Sequence, residues 1–475
     1  MSNVFENKGA LAKTIVVAAS NSLNRGQANY VCDGVNDHVE IQAALDALPA
    51  TGGEVLLLEG TYYLAVGVSP NSYQTLRGCG HNTILTVTAN GQNVINVVSW
   101  AGAEKIGMVV TDLCIDCTLG GAIGSRGINW EYVDFSEIRN CRILHSSQIE
   151  INLENCDYDV ISGNVCSSGF TGIRVASTTA SIVMSNRVLN MTDAAMLISQ
   201  ATRCVISNNY LYGSVWGLEI TSSSQENIFS GNACIKNQLG ILLSASNHNL
   251  VIANYITESS FDAHNSSDDI MLHNADYNNI QDNTCRAGSL ANKPRYGINI
   301  SNAGCDSNLV IDNDLYNDGF GTAPFNDAGT GTKLNTYKVP FSHGSDPQDS
   351  GFLIDAAAEM ARAWLRLPNK VVQVVRAKVY ARSGVLEADH MRGEFVIYGG
   401  ADNEAYNTHD GSVANHPTDS VNFAANDIIF WTIATAGLLA MVGGDSIEVK
   451  AIYESAGNGD CATNAYLRTV EIEYV

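Results

Sequence analysis

Three side chains set one repeat apart make the best case for chemistry in this sequence: Glu131, Glu150 and Arg174. If the segments that carry them stack as neighbouring strands, Glu131 and Glu150 become diagonal neighbours. They would then stand one strand and two residues apart, with about 8 Å between their Cα atoms. That approaches the spacing of an inverting glycosidase pair, in which one carboxyl protonates the leaving oxygen and the other activates water. Arg174, one repeat further on, would bind a sugar carboxylate or lower the pKa of a neighbouring acid. On this alignment one outward column runs Asn129, Glu150, Arg174, Leu197, Glu219, Leu242, Met271, Asn299. The next runs Glu131, Asn152, Ala176, Ser199, Thr221, Ser244, His273, Ser301. Asn129, Asn152, Glu219 and His273 are the expected substrate-binding groups. The plainer reading is a solvated face on which Glu150 and Arg174 form a ladder pair worth under about 1 kcal/mol.

Other constellations are less specific. The run Asp312-Asn-Asp-Leu-Tyr-Asn-Asp318-Gly has the texture of a calcium loop but no terminal Glu, so a structural turn is preferred over a structural calcium site. Asp402, Glu404, His409 and Asp410 share one polar loop. Twelve cysteines are dispersed, and Cys114/Cys117 is the one close pair, so neither a disulfide scaffold nor a zinc site is expected. No cofactor motif is present. Acidic residues outnumber basic ones 49 to 26, for a net charge of −23, which argues against nucleic acid as a partner. The first residues have no signal-peptide pattern. The apolar run Ile428–Gly444 is shorter than a membrane span and reads as two adjacent strands or an oligomer contact.

The elements that would position the candidate face are repeats. An apolar residue, one or two small or polar ones and then Asn recur at Asn140, Asn164, Asn186, Asn209, Asn232, Asn254, Asn283 and Asn313. About eight residues after several of these comes Gly with a short apolar alternation, as at Gly172, Gly217, Gly240 and Gly297; Ala195 fills the slot once. Strands this short, with turns between and no helix-length segment, predict a β-solenoid. Its amides would stack into ladders. A column of Cys166, Val188, Leu211, Cys234, Ile256, Cys285 and Leu315 would line the core, its cysteines acting as small hydrophobes. About a dozen coils fit between Gly53 and Tyr337. Two longer steps predict inserted loops at 261–267 and 287–295.

Before the repeats, a helix over 38–48 is expected to cover the open end. Asp37 and Glu40 would form a capping box, and Ile41, Ala44, Leu45 and Leu48 an apolar stripe. The order Asp33-Gly-Val-Asn-Asp37, Ile41-Gln-Ala-Ala44, Gly52-Gly-Glu-Val55 and Glu59-Gly-Thr-Tyr62 resembles the N-terminal signature of the pectate-lyase-like β-helix superfamily. That superfamily includes polysaccharide lyases, glycoside hydrolases, epimerases and phage tailspikes. Its usual Pro or Ala before Gly-Thr-Tyr is Glu59 here. The resemblance implies an all-β fold: a right-handed parallel β-helix. We expect an arm at 1–30, the β-helix at 31–336 and a β-sandwich or jelly roll at 337–475, with strand-like runs at 371–380, 394–398, 428–433, 446–453 and 466–474. Residues 356–367 read equally as helix or strand.

Two functions follow. The first is a virion-associated recognition protein of the tailspike, fibre or capsid-decoration type, located on a virion or outside the cell. It would bind a polysaccharide or cell-surface glycan and contact other virion proteins, and the resemblance implies a homotrimer. The second is a polysaccharide hydrolase or lyase on the same scaffold, using Glu131, Glu150 and Arg174.

Overall fold

The computed structural model describes residues 13–118, 124–315 and 319–340, and beyond them the strands 352–354, 360–366, 374–383, 393–398, 411–413, 428–433, 446–453 and 465–474. The chain divides into two compact units, one of residues 1–309 with 318–332 and one of residues 310–317 with 333–475.

The first unit is a parallel β-helix. Each coil contributes three short strands, as in Val160–Ser162, Val165–Ser167 and Thr171–Ala176. Each pairs in parallel with its counterpart one coil on. Second-sheet strands run from Gly60–Leu64 to Thr284–Arg286, and third-sheet strands from Ile95–Val98 to Ala323–Asp327, ten in each. Coils close on one another because one inward residue per short strand stacks on the same position of the next coil. Ile161, Val183, Ile206, Phe229, Val251 and Ile280 form one such fully buried column. The expected column from Cys166 to Cys285 forms another. Each such side chain contributes about 1.5–3 kcal/mol by leaving water. All described cysteines are free, and all but Cys79 are buried.

Amide ladders hold the turns. In the ladder that starts at Asn164, the Oδ1 of each of Asn186, Asn209, Asn232, Asn254 and Asn283 accepts both the backbone N–H and the Nδ2–H of the Asn one coil earlier, at 2.9–3.1 Å. Asn140 does not belong to this column. Cys141 occupies the slot and donates its N–H to Asn164, while Asn140 is exposed with φ 53°. A second ladder, at the start of the first-sheet strands, was not expected: Asn227, Asn249, Asn278 and Asn308. Earlier coils fill its positions with Ser136, Asp159, Ser181 and Cys204.

The helix spans His38–Asp46 and buries Ile41, Ala44 and Leu45. Asp37 does not cap it. Its carboxylate accepts the N–H groups of Gly34 and Tyr63 at 2.8 Å, tying the preceding loop to the strand Gly60–Leu64. Glu59 accepts from Ser22, Leu23 and Asn24, so the departure from the signature anchors the 22–24 turn. Both inserted loops form, and they hydrogen-bond to each other through Asn265 N–H to Lys293 O and Arg295 N–H to Ser267 O.

In the second unit, Ala465–Tyr474 pairs antiparallel with Val374–Ser383, Lys333–Pro340 and Phe352–Ile354. Ile428–Ile433 pairs with Val374–Ser383 on its other side. A four-stranded antiparallel sheet contains Met360–Arg366, Ser446–Tyr453, Gly393–Tyr398 and Gly411–Val413. Residues 360–366 are therefore strand, not helix. The loop carrying Asp402, Glu404, His409 and Asp410 lies outside the described residues, as do 316–318 of the calcium-like run.

Candidate functional site

The outer face of the third sheet is three side chains wide. Its strands are the longest in the coil, six residues in most rungs, so each points two or three side chains away from the core. The middle column runs Asn96, Asn129, Asn152, Arg174, Leu197, Glu219, Leu242, Met271, Asn299 and Asn326. Beside it runs Val98, Glu131, Glu154, Ala176, Ser199 and Thr221. His273 continues that column one rung after Ser244, and its Nδ1 lies 3.0 Å from Ser301 Oγ.

One rung departs from the expected map by two residues. Asn152, not Glu150, stands between Asn129 and Arg174, and Glu154, not Asn152, lies beside Glu131. Glu150 occupies the register slot of Gly127 and Gly172 and is wholly buried. Its carboxyl accepts Ser146 N–H at 3.2 Å and Ser146 Oγ–H at 2.7 Å. It fills the space over Gly169, where a Cβ would come within 2.5 Å of Glu150 Oε1. Burial pushes its pKa up to about 8, against the opposing effect of the Ser146 bonds. The diagonal pair Glu131/Glu150 therefore does not form, and Glu150 plugs the interior.

The same face instead joins Glu131 to Glu154 and two arginines. Arg126 Nη1 donates to Asn129 Oδ1 at 2.6 Å and lies 3.5 Å from Glu131 Oε1. Asn129 Nδ2 donates to Asn96 and to Glu131, and Asn152 Nδ2 to Asn129. Arg174 Nη1 donates to Asn152 Oδ1 and Glu154 Oε2, both at 2.9 Å. The result is one continuous polar network over four coils, with Asn129 and Asn152 buried within it.

Beyond Arg174 the face becomes apolar. Half-buried Leu197 and Leu242 flank Glu219 in register, and half-buried Trp216 lies three residues before it on the same strand. Burial first, and the nearby Asp193 carboxylate second, raise the Glu219 pKa above the usual carboxylate range. Asp193 itself accepts Thr171 Oγ1–H at 3.0 Å. Two neighbouring carboxyls, one of them with its pKa raised by burial, are the kind of pair from which a general acid and a base are drawn. Past Met271 the face turns polar again. The fully buried Asp268 side chain holds Arg295 in a bidentate pair at 2.7 and 3.0 Å and accepts Asn299 Nδ2–H at 2.7 Å.

Sequence reasoning placed Asn129, Arg174, Glu219, Glu131 and His273 in columns the register reproduces. It missed Arg126, Glu154, Asp193, Asp268 and Arg295. The signal for Glu154 was present, since it lies 23 residues after Glu131 and 22 before Ala176.

The family model of periplasmic copper-binding protein (NosD) matches residues 121–269. No curated protein sequence matches the chain. Among solved structures, the DFA-IIIase from Arthrobacter chlorophenolicus A6 in complex with GF2 is similar, with 13% identity and a TM-score of 0.53. That match covers 66% of this chain and 93% of the other. Full-length tailspike protein 2 from the Escherichia coli O157:H7 bacteriophage CAB120 is similar at 12% identity and a TM-score of 0.51, covering 96% and 71%. The chain thus has a right-handed parallel β-helix fold. A copper site in the matched segment does not fit its residues. Among the described residues, the one group of three converging His, Cys, Asp or Glu donors is Cys32, Asp37 and Glu40, outside that segment.

Proposed function

We propose that the outer face of the third sheet binds a polysaccharide or cell-surface glycan, in a virion-associated recognition protein of the tailspike, fibre or decoration type. One observation carries this reading. An apolar floor of Leu197, Trp216 and Leu242 lies between two preorganised hydrogen-bonding clusters, Asn129–Asn152–Arg174–Glu154 and Asp268–Arg295–Asn299. Sugar rings present apolar faces and a rim of hydroxyls, and such a floor with polar ends matches both. A bacteriophage tailspike and an enzyme captured with GF2 share the fold and motivate the ligand class. The second unit, read as a β-sandwich, serves glycan binding or trimer assembly. A homotrimer is the expected state, and light scattering that finds the mass of a single chain contradicts it.

Affinity electrophoresis against a panel of polysaccharides tests the face. Trp216→Ala is expected to weaken retention about tenfold, or about 1.4 kcal/mol. Retention unchanged by both Trp216→Ala and Arg174→Ala contradicts the assignment.

Glu219 favours a second reading, hydrolysis. Glu219 would act as the acid that gives a proton to the glycosidic oxygen, and Asp193 as the base that takes one from the attacking water. Reducing ends released from a bound polysaccharide should fall at least about 100-fold in Glu219→Gln with binding retained. Undiminished release in that variant removes Glu219 from the chemistry.

A further inference from the structure

The turn that leads from the third sheet back to the first contains a position with left-handed backbone in every described coil. It falls at Tyr73, Gly107, Phe135, Tyr158, Ala180, Arg203, Glu226, His248, Tyr277 and Ser307, two residues before each first-sheet strand register. Non-glycine side chains there have φ between 50° and 65°. Carboxylates underneath hold the turn: Asp134 accepts Asp157 N–H at 2.9 Å, and Asp157 accepts Thr179 N–H at 2.7 Å. The fold thus imposes the conformation but not the residue, since other coils use Ala180 or the exposed ion pair Arg203–Glu226.

At the N-terminal end the position is aromatic and open to water. Tyr73, Phe135 and Tyr158 are 51, 61 and 52% exposed. Phe135 and Tyr158 stack with centroids 4.8 Å apart and planes 7° from parallel. Between Tyr73 and Phe135 the column has Gly107, and a Cβ there would lie 3.0 Å from the Tyr73 ring. The ring of Tyr73 thus leans over the glycine and keeps the strip continuous. A bulky left-handed residue costs backbone energy, and an exposed aromatic strip gains nothing from water. Neither is needed for the turn, so the strip points to a ligand.

We propose that Tyr73, Phe135 and Tyr158 form a second glycan-binding strip, on which the rings of a neutral pyranose chain stack along the coil axis. One coil rises about 4.8 Å, close to the length of one pyranose unit. The half-buried Asp134 and Asp157, each one residue before a ring, are placed to accept sugar hydroxyls. A net charge of −23 disfavours an anionic chain. The strip draws on the glycan reading for its ligand class only, since it lies on a different surface from Trp216.

Isothermal titration of the full chain with cello-, manno-, xylo- and maltohexaose tests the strip. Phe135→Ala and Tyr158→Ala should each weaken binding of at least one hexaose about tenfold. Phe135→Tyr should retain it, and the melting temperature should not move because both rings are exposed. Arg203→Ala, at the same turn position two coils beyond Tyr158, should leave that component unchanged, which ties the loss to the aromatic rings. Three outcomes overturn the proposal: wild-type chain that binds none of the four, binding in both alanine variants as tight as in the wild type, or a change in oligomeric mass with binding intact. The last assigns the strip to contact between copies of the chain.

Discussion

Asp159 puts an acid where later coils have an amide, and the exchange has a measurable signature. Its Oδ1 accepts Ser136 N–H at 2.7 Å, while its buried Oδ2 has no partner. In the same column Asn227, Asn249 and Asn278 use Nδ2–H to donate to backbone carbonyls. Burial pushes the Asp159 pKa up to about 9, which favours the neutral acid at pH 7. Glu150, raised to about 8, behaves alike. Both acids ionise near pH 4 when unfolded. The folded chain therefore binds more protons than the unfolded one between about pH 4 and pH 9, and stability falls as pH rises through that window. Asp159→Asn should stabilise the chain by about 1–3 kcal/mol at pH 8.5 and by much less at pH 5.5. Denaturant melts at the two pH values check this, and an equal effect at both would show that Asp159 is already ionised in the fold.

The elements explain both what was legible and what was not. Asn209 in mid-ladder satisfies Asn186 N–H and Nδ2–H and donates to Val183 O and Asn232 Oδ1. Asn209→Ala should cost about 2–4 kcal/mol, whereas Asn140→Ala, outside the ladder, should cost almost nothing. Chemical melts of the two variants distinguish them, and equal losses would contradict the ladder. The period was readable because one Asn per coil is enforced by buried amides that only the next Asn can satisfy. The register of one strand was not, because Glu150 removes the glycine that marks the slot elsewhere. Coils vary there according to what the neighbouring turn leaves empty, and Gly169 leaves room for a carboxyl. Gly169→Ala should destabilise by about 1–3 kcal/mol through contact with Glu150. Glu150→Ala in the same chain should recover much of the loss, as a double-mutant cycle would measure. The face itself was only half legible. Arg174, Glu219 and His273 sit at fixed spacing, but Arg126, Asp193 and Asp268 come from strand edges and turns whose offset the repeat does not encode.

At the scale of the molecule, the chain divides into a β-helix unit and a second unit whose strands pair antiparallel, of residues 310–317 and 333–475, whereas the texture of the sequence changes near Tyr337. The acidic surplus bears on which glycan can approach. Retention of a neutral polysaccharide should be insensitive to salt, whereas an anionic one should bind more tightly as salt screens the repulsion. Fold alone does not assign activity. The sheet face is therefore the point to test. Hydroxyl-radical footprinting of the full chain, with and without the polysaccharide that it retains best, reads that surface directly. The account predicts that Trp216, Leu197 and Leu242 are shielded from oxidation when the glycan is bound. Unchanged oxidation of all three, with protection confined to residues 337–475, would place recognition in the second unit and contradict it.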